Sequence, residues 1–280
     1  MPEIALSLIA LLPAMIWAIS PIIYRDFLKS GPTLIVNFYR MLFASSSLII
    51  PFLIFGYNKD IIYAILSGIL TLTIGDSLYL TSIKKIGASI AAPVVYTYVF
   101  FSQIAATILG ENVKFSYFIS SILIIIGIAI LSRGNKSEMR TTGIIIALSC
   151  ALFWTIGQAM IKLATLGDMN FASIAFARTC ASCLALATLS IARKEKFHLN
   201  TNTKGYFIFA ITSIADLALG SSLFIFSIAY VGLALTIIIT SASPLFTQII
   251  AKLSGKESPS LKDILGSCSI IVALILTLAF

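Results

Sequence analysis

Four ionisable residues stand inside otherwise uncharged apolar stretches of this 280-residue sequence: Arg40, Asp76, Arg178 and Asp216. Their types define what they can do. A guanidinium keeps its charge at physiological pH and offers five N–H donors in a planar fork. A carboxylate accepts such bonds and can also take up or release a proton. Two arginines and two aspartates therefore suit two tasks: locking helices together, or binding a charged solute or a proton. In lipid each such group costs about 2.5–3.5 kcal/mol at a helix centre on insertion scales, so it must face the interior and find a partner. At a rise of about 1.5 Å per residue, depth along the segments pairs Arg40 with Asp76 and Arg178 with Asp216. Asp216 comes nearest the midplane and is the better proton carrier.

Polar and aromatic residues accompany the charges. Ser89, Tyr96 and Gln103 recur every seven residues and share one helix face; the matching positions further on are Ala234, Ser241 and Gln248. Lipid offers these groups no hydrogen bond, so the stripe faces protein or water. Trp17 and Trp154 lie well inside their segments rather than at the interfaces where Trp is common. Gln158 is one turn beyond Trp154, and Tyr79 one turn beyond Asp76. These residues either pack helices or line a binding cavity. Pro93 and Pro244 fall within segments and predict kinks or freed carbonyls.

The elements that position these residues follow from composition. The chain is 59% apolar and 11% charged, with a net charge of +8. Soluble domains have about 25% charged residues, so a soluble fold, disorder and a disulfide scaffold are excluded. Ten apolar segments fall near residues 4–23, 32–55, 61–83, 88–109, 115–131, 142–163, 170–191, 205–229, 233–253 and 264–280. Their lengths match spanning helices. Alternation of the kind a membrane barrel needs is absent. The four cysteines lie in apolar segments and read as buried free thiols, and the single histidine, His198, as a loop residue.

The basic residues predict orientation. Fourteen Lys and Arg fall in the odd-numbered connections and three, Lys59, Lys114 and Lys162, in the even ones. The positive-inside rule places the fourteen in the cytoplasm and both termini outside.

The two halves repeat. At an offset of 145, residues 75–111 match with eleven identities, including Gly75 with Gly220, Gly87 with Gly232 and Gln103 with Gln248. Arg40 lies over Arg178 at an offset of 138, and Trp17 over Trp154 at 137. Residues 1–135 and 136–280 thus each hold five helices. Five is odd, so the second half enters the membrane in the opposite sense, the plan of many secondary transporters.

Trp17 and Trp154, Pro32, Arg40 and Arg178, the paired glycines 75/220 and 87/232, and Gly110-Glu111 with Pro244 in the counterpart helix together resemble the drug/metabolite transporter superfamily, specifically its EamA-type permeases. The resemblance covers nearly the whole chain. It implies an all-α integral membrane protein: ten transmembrane helices in two inverted five-helix repeats, with four helices of each repeat around a central cavity and the fifth peripheral. The sequence departs from the family at Lys256, which occupies the position matching Glu111, and in charges that favour external termini where many relatives have cytoplasmic ones.

The expected protein is a multi-pass permease of the cytoplasmic membrane. It would move a small metabolite, an amino acid or a similar polar or amphipathic solute, by alternating access. A proton or other ion is a possible coupling partner; no cofactor, metal or nucleic acid is expected, and a monomer is compatible with the sequence. The substrate or proton site would draw on Trp17, Arg40, Asp76, Tyr79, Tyr96, Gln103, Trp154, Gln158, Arg178, Asp216, Ser241 and Gln248. A receptor, a lipid scramblase and a channel are the alternatives. An enzyme is disfavoured, because the eleven acids are scattered and form no metal or nucleotide motif.

Overall fold

A computed structural model describes residues 8–86, 88–131, 141–253 and 261–279, and every regular element among them is helical. The first half contains α1 (Leu11–Ser30), α2 (Thr33–Phe55), α3 (Ile61–Ser67), α4 (Asp76–Ile86), α5 (Ala88–Val95), α6 (Tyr98–Ile108) and α7 (Phe115–Leu131). The second contains α8 (Thr141–Leu166), α9 (Phe171–Ala192), α10 (Thr203–Ser213), α11 (Ser221–Val231), α12 (Leu233–Thr240), α13 (Ser243–Leu253) and α14 (Leu261–Ala279). Wider π-helical stretches, Gly68–Gly75 and Ile214–Gly220, join α3 to α4 and α10 to α11 into continuous rods.

Among the described residues six helices are long and apolar enough to cross a membrane, and four shorter apolar ones accompany them. Each predicted segment falls on one of these. Large apolar side chains such as Leu53 (75% exposed) and Ile108 (79% exposed) cover the outside, as a lipid-facing surface requires. The all-α membrane class follows directly.

One boundary differs from expectation. Arg25 and Lys29 were expected in a connection, but α1 runs on to Ser30. Nothing in Tyr24–Ser30 breaks a helix; the stop comes at Gly31-Pro32, where proline disfavours helical backbone in the residue before it.

The halves pack across each other. α2 lies along α9, and α7 along α14. The latter pair approaches closely at Gly127 and Gly266, where a Cβ on either glycine would strike the opposite helix. The first helix of each half docks on the third rod of the other: α8 on α3, α4 and the first π stretch, and α1 on the second π stretch. Gly75 and Gly220 permit this docking. A Cβ on Gly75 would collide with the Trp154 indole, and one on Gly220 would crowd Trp17 Nε1. Gly75→Ala is therefore expected to push Trp154 off its seat and lower stability by about 1–3 kcal/mol, the usual range for overpacking. Thermal unfolding of the purified variant in detergent checks this; an unchanged midpoint would contradict it.

The pairs α5–α6 and α12–α13 break at matching places, and the hydrogen bonds around the breaks repeat at the offset of 145. Thr97 N–H donates to Val94 O (3.2 Å) as Ala242 N–H does to Ile239 O (3.1 Å), and Phe100 N–H to Thr97 O (3.0 Å) as Leu245 N–H does to Ala242 O (2.9 Å). Pro244 has no N–H for the carbonyl four residues before it. In the first half the Thr97 hydroxyl takes the Val94 carbonyl (2.6 Å), competing with the backbone ladder. At the corner between α11 and α12, Gly232 adopts φ +100°, a conformation that residues with a Cβ rarely tolerate.

Candidate functional site

Arg40 projects from α2 to the meeting point of the two third rods. Its Nη2 donates to Asp216 Oδ2 at 3.0 Å. Nη1 donates to Asn37 Oδ1 at 2.9 Å and stands 3.7 Å from Asp76 Oδ2. The guanidinium carbon lies 4.6 Å from the centroid of the Tyr24 ring, a cation–π distance. Asn37 in turn donates to Leu72 O in the first π stretch (3.0 Å), which fixes the arginine's helix to that rod. The side chains of Arg40 and Asp76 are 17% and 18% exposed and that of Asp216 6%, so the first two are the less deeply buried.

Both aspartates are tied to a tryptophan of the other half. Trp154 Nε1 donates to Asp76 Oδ1 (3.2 Å), and Trp17 Nε1 to the backbone carbonyl of Asp216 (3.2 Å). The same pattern explains why Gly75 and Gly220 are needed: the indoles sit where a Cβ would be. Around Trp154, Tyr79 (5.6 Å between centroids) and Tyr98 (5.4 Å) form an aromatic wall, extended by Tyr96 against Tyr98 (5.7 Å). Trp17 packs on Phe224 at 5.1 Å.

Arg178 occupies the corresponding place in the second half with different chemistry. Nε donates to Ser67 Oγ (3.0 Å), Nη1 to Ser221 Oγ (2.8 Å) and Nη2 to Thr71 Oγ1 (3.2 Å). It is 5% exposed. At the offset of 145, Thr71 matches Asp216 and Ser221 matches Asp76. Each arginine thus contacts one residue of its own half and one of the other at equivalent positions. Arg40 finds two carboxylates there and Arg178 two hydroxyls.

This corrects the expected pairing. Asp216 does not pair with Arg178; it bonds Arg40, because the second π stretch faces α2. Asp76 is shared more loosely, at 3.7 Å from Arg40. Arg40 with Asp76 and Asp216 carries a formal charge of −1, and Arg178 among hydroxyls carries +1.

The remaining expected residues divide. Trp17, Trp154, Tyr79 and Tyr96 are half-buried in the walls just described. Gln158 is half-buried and its Oε1 has no hydrogen-bond partner. Ser241 is buried at the break, donating to Ile237 O (2.6 Å). Gln103 is fully buried away from the arginines, between α6 and α12, where Nε2 donates to Val99 O (3.1 Å) and Ala234 O (3.4 Å). The side chains of Gln248 and Ser89 lie outside the described residues. The four cysteines are free; Cys150 and Cys183 are buried as expected, but Cys180 is half-buried and Cys268 exposed on the outer helix α14.

Tyr24, Asn37, Ser67, Thr71, Tyr98 and Ser221 were not singled out from the sequence. Three of them carried a signal: Asn37 precedes Arg40 by one turn on the same face, and Thr71 and Ser221 are the repeat partners of Asp216 and Asp76.

Known proteins match this chain along nearly its full length. A family model described as the EamA-like transporter family matches residues 5–133 and again residues 141–279. An uncharacterized transporter of Archaeoglobus fulgidus is 30% identical over 287 residues, covering 99% of this chain and 98% of the relative. A crystal structure with 14% sequence identity superposes with a TM-score of 0.80 over 97% of this chain and 96% of its own, which establishes likeness of fold. The chain therefore belongs to the EamA-like transporter family, the membrane transporters of the drug/metabolite transporter superfamily.

Proposed function

We propose that the protein is a secondary transporter that moves a small polar or amphipathic metabolite across the cytoplasmic membrane by alternating access, as two inverted five-helix halves, 1–135 and 136–280, exchange conformations. The observation that carries this is the seating of Arg40. It belongs to the first half, bonds Asp216 of the second, and is less deeply buried than that partner. A group held between halves changes its surroundings when the halves move, which is what a site exposed alternately to two sides requires. Asp76 and Arg178 contribute opposite charges, and Tyr79, Trp154 and Tyr96 an aromatic wall for an apolar portion of the solute.

Proteoliposome flux across a panel of metabolites tests the proposal. The expected result is saturable uptake of at least one solute. Transport at wild-type rate by all of Arg40→Ala, Arg178→Ala and Asp216→Asn would overturn the charged site. Orientation is tested separately: with both termini outside, a thiol introduced between α9 and α10 reacts only from the cytoplasmic face, and labelling from outside would reverse the topology.

A further inference from the structure

Glu111, just past the end of α6, makes three contacts that no role in solute binding uses. Its Oε1 accepts the N–H of Leu233 (2.7 Å) and its Oε2 that of Ala234 (3.0 Å). These are first-turn amides of α12, which lack partners within the helix and carry its positive dipole end. Lys162 Nζ of α8 lies 2.8 Å from Oε1. A carboxylate bonded to two amides and an ammonium makes the stronger, charge-assisted kind of hydrogen bond. Gly232 is part of the seat: a Cβ there would meet the carboxylate. Side-chain exposures of 13% for Lys162 and 15% for Glu111, beside a cleft of about 320 Å³ lined by Asn112, Tyr230 and Leu235, leave the contacts within reach of water. They are tight but breakable.

α6 packs on α12 at the Glu111 end, with buried Gln103 donating to Ala234 O across the contact. The repeat relates this pair to α13 with α5 at the opposite end. There the side chains of Gln248 and Ser89 and the whole of Lys256 lie outside the described residues, so the difference between the two ends is read from the sequence. The residue matching Glu111 is Lys256, whose ammonium has no acceptor for helix amides and repels the positive end of a helix.

We propose that Glu111, Lys162 and the amide end of α12 form a one-sided latch, which makes closure at the Glu111 end the resting conformation. The latch rests on the transporter reading for its purpose, yet its existence can be tested without transport. Spin labels at Lys114 and Ala229, both exposed at the Glu111 end, in the full-length protein with its native cysteines replaced and reconstituted in nanodiscs, report the opening by pulsed distance measurement. The wild type is expected to give one narrow distance population. Glu111→Gln is expected to raise the longer-distance population about tenfold or more, since a neutral amide loses both the ion pair and the charge on its amide bonds. Lys162→Met, which leaves the amide bonds in place, is expected to raise it less. The charge exchange Glu111→Lys with Lys162→Glu rebuilds an ion pair but not the amide acceptor, so it is expected to remain open. A wild-type distribution in both Glu111→Gln and Lys162→Met would overturn the latch. Full closure by the charge exchange would overturn the part assigned to α12. Failure of every metabolite in the flux panel would count against the transporter reading and leave these distances to decide the latch.

Discussion

Arg40→Ala is expected to lower folding stability by about 3–5 kcal/mol, the range seen when one member of a buried ion pair is removed, and to reduce flux at least about a hundredfold. The stability loss arises from what remains. Asp216 loses its bond of 3.0 Å and Asp76 its neighbour at 3.7 Å, so two carboxylates face each other with no cation bonded between them. Asn37 loses a donor and Tyr24 the cation over its ring. The fork also matters. Nη1 serves Asn37 and Nη2 serves Asp216, and an ammonium has no two donors at that spacing. Arg40→Lys is therefore expected to recover part of the stability and little of the flux. Thermal unfolding and initial uptake rates of the two variants, measured side by side, check both halves of this expectation. Lysine rescue of flux to wild-type rate would show that charge alone, without the fork, is sufficient.

Arg178→Met is expected to do the opposite to stability while still lowering flux at least about tenfold. Removing this guanidinium strands no carboxylate bond, because its hydrogen-bond partners are the hydroxyls of Ser67, Thr71 and Ser221. The Thr71 hydroxyl already donates to the carbonyl of Ser67 (2.6 Å). Burying a charge without an ionic partner is costly even when hydroxyls bond it, and an apolar side chain of similar volume removes that cost. The melting temperature should therefore hold or rise. Flux should fall because the proposed site loses its +1 side while the −1 side at Arg40, Asp76 and Asp216 stays. The pair of variants thus separates structure from function: both arginines serve transport, but only one holds the fold. Wild-type flux in Arg178→Met would reassign Arg178 to helix packing.

Much of this architecture was legible in the sequence because lipid permits so few solutions. Apolar runs of spanning length can only be helices there, and an ionisable residue inside one cannot be incidental. The four deep charges, the tryptophans and the paired glycines could be located without any structure. The partners of those residues could not. Depth along a helix gives one coordinate of a side chain, and it paired Asp216 with Arg178 where the structure bonds it to Arg40. Rotation of the π stretches about their axes decided the matter, turning Asp216 toward α2, and periodicity at 3.6 residues per turn does not anticipate a π stretch. The repeat held information that depth did not: aligning Thr71 with Asp216 and Ser221 with Asp76 identifies the hydroxyls that receive Arg178. Gln103 shows the limit of the polar stripe. Its place there left helix packing and cavity lining both open, and its amide serves the contact of α6 with α12. Hydrogen bonding between helices and lining a cavity leave the same trace in a sequence.

In the proposed transporter one site, built around Arg40, opens to each side of the membrane in turn. A single thiol at Tyr79, half-buried one turn beyond Asp76, measures this most directly when it replaces the four native cysteines in the intact, reconstituted chain. A membrane-impermeant thiol reagent is applied to one face and then, in a separate sample, to the other. The expected result is labelling from either face, with conditions that lock one conformation abolishing access from one face while raising it from the other. Labelling from a single face under every condition would contradict alternating access and leave a one-sided cleft.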